Sequence, residues 1–115
     1  MTHLVFVDSN FCGIEGMARA QALGHQYSAV MSQELVLYHM NDETRRVLAG
    51  AERVLWIDRT TDPFQLAGAL RQILAERPID AVLSHLEYCV EALSQACVEL
   101  GLRYTSAAGV RLARN

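Results

Sequence analysis

Residues 84–88 read Ser84, His85, Leu86, Glu87 and Tyr88, the densest polar set directly behind an apolar run. Glu87 offers a carboxylate for a substrate ammonium, and His85 an imidazole, the side chain that titrates nearest neutrality. A second polar run, Asp8, Ser9, Asn10, Phe11, Cys12 and Gly13, follows another apolar stretch. Where such a run leads into a helix, its backbone N–H groups, hydroxyl and amide could receive an anion. A third run holds Asp58, Thr60, Thr61 and Asp62.

Each run has a plainer reading. Residues 8–13 also suit a turn that merely starts a helix, and both readings stay open. Glu87 also suits an acidic residue complementing the dipole of a following helix. An Asp ending a strand and an Asp capping a helix are ordinary structural roles, so structure is preferred for Asp58 and Asp62. A helix N-terminus lowers a thiol pKa, but no general base accompanies Cys12 in the sequence, and a packed, inert thiol is the simpler reading. Cys89, Cys97 and Trp56 are most simply core residues.

Several chemistries are excluded by what is missing. All ten basic residues are arginine, so a Walker lysine, Schiff-base chemistry and lysine-dependent phosphoryl transfer have no candidate. Only Gly13 and Gly16 fall in the first turn region, short of a dinucleotide-binding fingerprint. Cys12, Cys89 and Cys97 have no Cys-x-x-Cys spacing and read as free thiols in a reducing compartment rather than disulfide or zinc ligands. The net charge of −3 comes from interspersed signs, which gives nucleic acid no basic stripe to bind. The apolar runs are far shorter than the roughly 20 residues of a membrane-spanning helix, and the expected location is cytoplasmic.

The elements that must position these runs alternate. Residues 3–8 form an apolar, β-branched and aromatic segment, as expected for a strand buried on both faces. Ile14, Met17, Ala18 and Leu23 then recur at roughly helical spacing, and Gly24 suits a left-handed helix stop. Residues 25–31, 54–58 and 80–84 read as further strands, while 32–50 holds helical fragments at 35–38 and 44–48 without clear boundaries. Asp62 with Gln65 resembles a capping box, with Pro63 in the first turn. Leu66, Ala67, Leu70, Ile73 and Leu74 form one apolar helix face, and Val90, Leu93, Cys97 and Leu100 another before Gly101. The sequence 23–27 and the sequence 100–104 share a helix stop followed by a short strand, and a last helix is expected from a Thr105–Ser106 cap through Arg114. The pattern predicts one α/β domain, three-layered and Rossmann-like, on a mainly parallel sheet of four to five strands.

In order along the chain, 4–9, the stop at 23–25, 54–60, 81–87 and 100–106 resemble the N-terminal domain of an ATP-grasp ligase. The likeness is to the carboxylate–amine ligases related to biotin carboxylase, in which Leu-Gly-Leu and a Thr-Ser cap lead to a tail such as Ala113-Arg114-Asn115. A lysine commonly follows there and opens the ATP-grasp fold, so the resemblance implies a domain cut before its ATP-binding part. It further implies that ATP with magnesium phosphorylates a carboxylate, that an amine attacks the acyl phosphate, and that absent domains of the same chain hold nucleotide and metal. No cofactor is expected to bind these 115 residues tightly, and no catalysis is expected from them alone. The substrate, a small carboxylate or amino acid, would meet Ser9, Asn10, Phe11, Cys12 and Gly13 on one loop and Ser84, Glu87 and Tyr88 on the other. Glu87 resembles the acidic residue that faces substrate in some members, Cys12 has no counterpart, and dimerisation stays open.

Three other classes compete. A receiver-like regulatory domain would also place an Asp, here Asp58, after its third strand, but Asp8-Ser9 stands where an acidic pair would hold magnesium. A freestanding module binding a nucleotide or another small ligand is weakened by the missing glycine fingerprint, and a purely structural interaction domain, whose apolar helix faces would serve docking, also stays open.

Overall fold

The computed structural model describes residues 2–8, 11–33, 41–84 and 89–106, with Phe11, Cys12, Thr105 and Ser106 described by their backbone alone. Along the chain run β1 (His3–Val7), α1 (Phe11–Ala22), β2 (Gln26–Ser32), α2 (Asp42–Ala49), β3 (Val54–Ile57), α3 (Pro63–Glu76), β4 (Ala81–Ser84), α4 (Val90–Leu100) and β5 (Tyr104–Ser106). The five strands form one sheet in the order β3-β2-β1-β4-β5, and every pair is parallel.

Parallel pairing demands crossovers, and the helices supply them on both faces. Val5 and Val7 of β1 pack with Leu66 and Leu70 of α3 and with Leu93 and Ala96 of α4. Phe6, between them in sequence, points the other way and packs with Ile14 and Met17 of α1 and Val47 of α2. The uninterrupted apolar run of β1 is thus the record of a strand with a core on each side. The result is the expected three-layer Rossmann-like fold. A receiver domain instead sets its third strand beside its first; here β3 lies outside β2, so the sheet order disagrees with that reading.

Local signals set most boundaries. Gly24 and Gly101 take positive φ, 81° and 67°, and end α1 and α4 in the left-handed conformation, which glycine, having no Cβ, adopts without penalty. Asp62 caps α3, its Oδ1 accepting from the N–H groups of Phe64 at 2.8 Å and Gln65 at 3.4 Å, with Pro63 in the first turn. The return leg of the predicted box differs: Gln65 Oε1 accepts from the Arg59 N–H at 3.0 Å, which ties the helix to the turn ahead of it. Asn41 caps α2 by accepting from the Thr44 N–H at 2.8 Å, a start that sequence reading did not locate. The predicted fragment 44–48 lies inside α2, and 35–38 falls outside the described residues.

Three expectations are corrected. Thr105 and Ser106 do not cap a helix: they extend β5 and pair with Leu83 and Ser84, because the open edge of β4 offers main-chain partners a local cap cannot match. The remainder of that expected helix, 107–114, lies outside the described residues. Trp56 is 40% exposed, since β3 is an edge strand. Leu23 is 66% exposed, one residue past the end of α1. Cys89 and Cys97 are buried, as expected of small core residues.

Candidate functional site

The chain steps outward from β1 to β2 to β3, and α3 then returns it across the sheet to β4, on the other side of β1. Because α1 and α2 cover one face and α3 and α4 the other, the helices that follow β1 and β4 lie on opposite faces of the sheet. This arrangement is the switch point at which open parallel sheets bind ligands.

Asp8 stands at this point on the β1 side. It is 1% exposed and takes φ 43°, the left-handed region, where an Asp is tolerated better than most non-glycine residues. Its backbone N–H donates to the Val30 carbonyl at 2.7 Å. Its Oδ1 accepts from the Ser32 N–H at 2.7 Å at the end of β2, and its Oδ2 accepts from the hydroxyl of Thr60 beyond β3. Ser32 and Thr60 are 3% and 1% exposed. A buried carboxylate is tolerated only when it is well hydrogen-bonded, and these donors meet that demand.

Ser84 ends β4 on the other side. Its Oγ lies 3.2 Å from the Sγ of Cys89, the residue that precedes α4, and both are buried. Burial pushes the Cys89 thiol up; the bond to Ser84 works in the opposite direction, and the negative charge of Asp8 adds to the rise. A thiol held neutral is a poor nucleophile.

Of the residues expected to meet substrate, Ser84 and Gly13 are both buried, Ser84 at the carboxyl end of β4 and Gly13 in the first turn of α1. Phe11 and Cys12 begin α1, so the first polar run does lead into a helix N-terminus. Ser9, Asn10, Glu87 and Tyr88, together with His85, lie outside the described residues. Asp58 and Thr61 are exposed, and Thr60 joins Asp8 rather than the Asp58 and Asp62 cluster suggested by proximity in sequence. The Asp8, Ser32 and Thr60 constellation escaped sequence reading because 52 positions separate Asp8 from Thr60. The one local hint was an Asp closing an apolar strand.

The amino ends of the strands carry a different network. His3 is 2% exposed; its Nδ1 lies 2.8 Å from the Pro78 carbonyl oxygen and its Nε2 2.8 Å from Ser28 Oγ, while its backbone N–H donates to Asp80 at 2.7 Å. A cavity of about 100 Å³ beside it is lined by Glu52, Arg53, Glu76 and Arg77 among others. These four side chains pair, Arg53 with Glu76 and Arg77 with Glu52 at 3.7 Å, so the cavity borders an ion-paired seam.

Among the described residues no three His, Cys, Asp or Glu side chains gather where they could hold a metal ion. Magnesium takes oxygen ligands in near-octahedral array, and the described carboxylates supply no such group. Also among the described residues, no helix is long and apolar enough to cross a membrane.

The sheet order and the two helical layers define a three-layer Rossmann-like α/β domain. Within that class the sequence profile of the ATP-grasp N-terminal domain matches residues 17–102, and the chain belongs to that family. Among solved structures, an L-amino acid ligase from Bacillus licheniformis superposes with a TM-score of 0.67 at 18% identity, over 92% of this chain and 24% of the ligase. A phosphoribosylglycinamide synthetase from Anaerococcus prevotii gives 0.60 at 13% identity, over 87% of this chain and 22% of the synthetase. The apo form of AtPrR2 gives 0.67 at 19% identity, over 92% of this chain and 38% of that one. At these identities the likeness is one of fold. No curated protein matches the chain. The chain spans less than half the length of each of these three structures.

Proposed function

We propose that these residues form the substrate-side N-terminal domain of a longer ATP-grasp ligase that joins a carboxylate to an amine. The observation that carries the reading is the family match over residues 17–102. The reaction proposed transfers the γ-phosphoryl group of ATP to a carboxylate oxygen, releasing ADP. The amine nitrogen then attacks the acyl carbon, the C–O bond to phosphate breaks, and the nitrogen gives up a proton. ATP and magnesium supply the activation in this proposal, held by further domains of the longer polypeptide, a reading that the family match supports.

This domain's part is binding and orientation. The proposed substrate-binding residues are Ser9, Asn10, Phe11, Cys12 and Gly13, which follow β1 in sequence, and Ser84, Glu87 and Tyr88, at and after the end of β4, because ligands of open parallel sheets bind beyond the carboxyl ends of the strands at the switch point. Glu87 is the residue proposed to receive a substrate ammonium. The substrate class is a small carboxylate or amino acid.

The first test is the mass of the native polypeptide in its source cells, detected with an antibody against this segment. A species several times larger than 12.8 kDa supports the ligase reading. That polypeptide, given ATP and pairs of standard amino acids, should release ADP and an amide-linked product detectable by mass spectrometry. A species of 12.8 kDa would reject the reading in favour of a freestanding small-ligand module.

A further inference from the structure

We infer that Asp8 is the positioning residue of the switch-point site, locking the carboxyl ends of β1 and β2 and the turn between β3 and α3 into one relation through the Ser32 amide and the Thr60 hydroxyl. The inference rests on the proposed function for what the lock positions; the lock itself rests on geometry.

Asp8 does not meet a ligand directly, because it is 1% exposed and both its carboxylate oxygens accept hydrogen bonds from within the domain. Its contacts run sideways along the sheet. Oδ1 takes the amide of Ser32 at 2.7 Å, at the last residue of β2. Oδ2 takes the hydroxyl of Thr60, in the turn between β3 and α3. The same residue bends the chain out of β1 at φ 43°, and among the described residues no other non-glycine residue has positive φ. A left-handed backbone costs free energy and persists where surrounding bonds over-determine it. The ends of β1 and β2 and the turn between β3 and α3 thus meet at one carboxylate where the chain leaves β1 toward the proposed first substrate run, and α1 begins at Phe11 just beyond it. A change at Thr60 should therefore reach the β1 side of the crevice, although Thr60 is remote from it in sequence.

The test uses the native polypeptide carrying Thr60→Val, which removes the hydroxyl at nearly constant volume, and Thr60→Ser, which restores it. Asp8→Asn is the second variant, keeping size and the acceptor for the Ser32 amide while replacing the charge-assisted bond to Thr60 with a weaker neutral one. Two readouts are taken: amide hydrogen exchange, and the KM for the standard amino acids that give turnover set against the KM for ATP. In T60V and D8N the Ser32 amide and those of residues 11–14 should exchange about tenfold faster or more, with α4 unchanged, as expected when one buried bond of ordinary strength is lost locally. The amino-acid KM should rise about tenfold with the ATP KM within about twofold, and T60S should restore both. Uniform loss of protection, a parallel rise in both KM values, or failure of T60S to rescue overturns the inference. If the native polypeptide shows no ATP-dependent ligation, the proposed function falls, and exchange alone decides the lock: wild-type protection of Ser32 in T60V overturns it.

Discussion

Cys97 shows how burial decides the chemistry of a single side chain. It is 2% exposed on α4, inside the apolar cluster with Leu93 and Ala96, and burial pushes its thiol from an ordinary 9.0 up to about 11. The thiol therefore stays neutral in the folded chain where the unfolded chain would ionise it. Its contribution to stability is fully present below pH 9.0 and is lost as pH rises toward about 11. Urea midpoints should fall across that window, and Cys97→Ala should flatten the fall; an equally steep alkaline arm in C97A would show that other groups set it. Tyr27, also pushed up by burial, leaves a residual slope. None of this is visible in the spacing of the cysteines, which indicates only that they are unpaired.

Elements stand on caps and on close approach. Removing the Asp62 side chain leaves the Phe64 and Gln65 amides without their cap, and Asp62→Ala should cost about 1 kcal/mol in denaturant unfolding, with Asp62→Asn near wild type. That start was legible in the sequence because cap, proline and Gln65 lie within four positions. Gly50, which ends α2, was not. A β-carbon there would lie 2.6 Å from Gln21 Nε2 and 2.8 Å from the Tyr27 hydroxyl. Gln21 is exposed and can move aside, but Tyr27 is 2% exposed and its hydroxyl donates to the Val47 carbonyl at 2.5 Å. Gly50→Ala should therefore destabilise by about 1–3 kcal/mol, against the usual gain from placing Ala in a helix. If G50A is as stable as wild type, Tyr27 is not held as rigidly as this packing implies.

At the scale of the molecule, one sheet carries two cores, and β1 belongs to both. Phe6→Ala opens the α1 and α2 side and should cost about 3–5 kcal/mol, whereas Leu70→Ala opens the α3 and α4 side and should cost about 2–5 kcal/mol. Because β1 transmits either loss to the other face, each variant should still unfold in a single transition, seen alike by far-UV and near-UV circular dichroism. Separate transitions would mean that the two faces fold independently. The same arrangement governs the candidate site: Asp8 follows β1 directly, where the strand at the centre of both cores meets the switch point.

The sequence by itself determined the alternation of strands and helices, the glycine stops at Gly24 and Gly101, the Asp62 cap and the likeness to the ATP-grasp N-terminal domain. These depend on residues within a few positions of one another, where backbone preference and apolar spacing act directly. The tertiary structure alone decided the order β3-β2-β1-β4-β5, the use of Thr105 and Ser106 as a strand, the exposure of Trp56 on an edge, and the meeting of Asp8 with Thr60. Each of these depends on which segments pair across a long stretch of chain. Main-chain bonds at an open sheet edge, and the need of a buried carboxylate for donors, outweigh the local preferences a sequence displays.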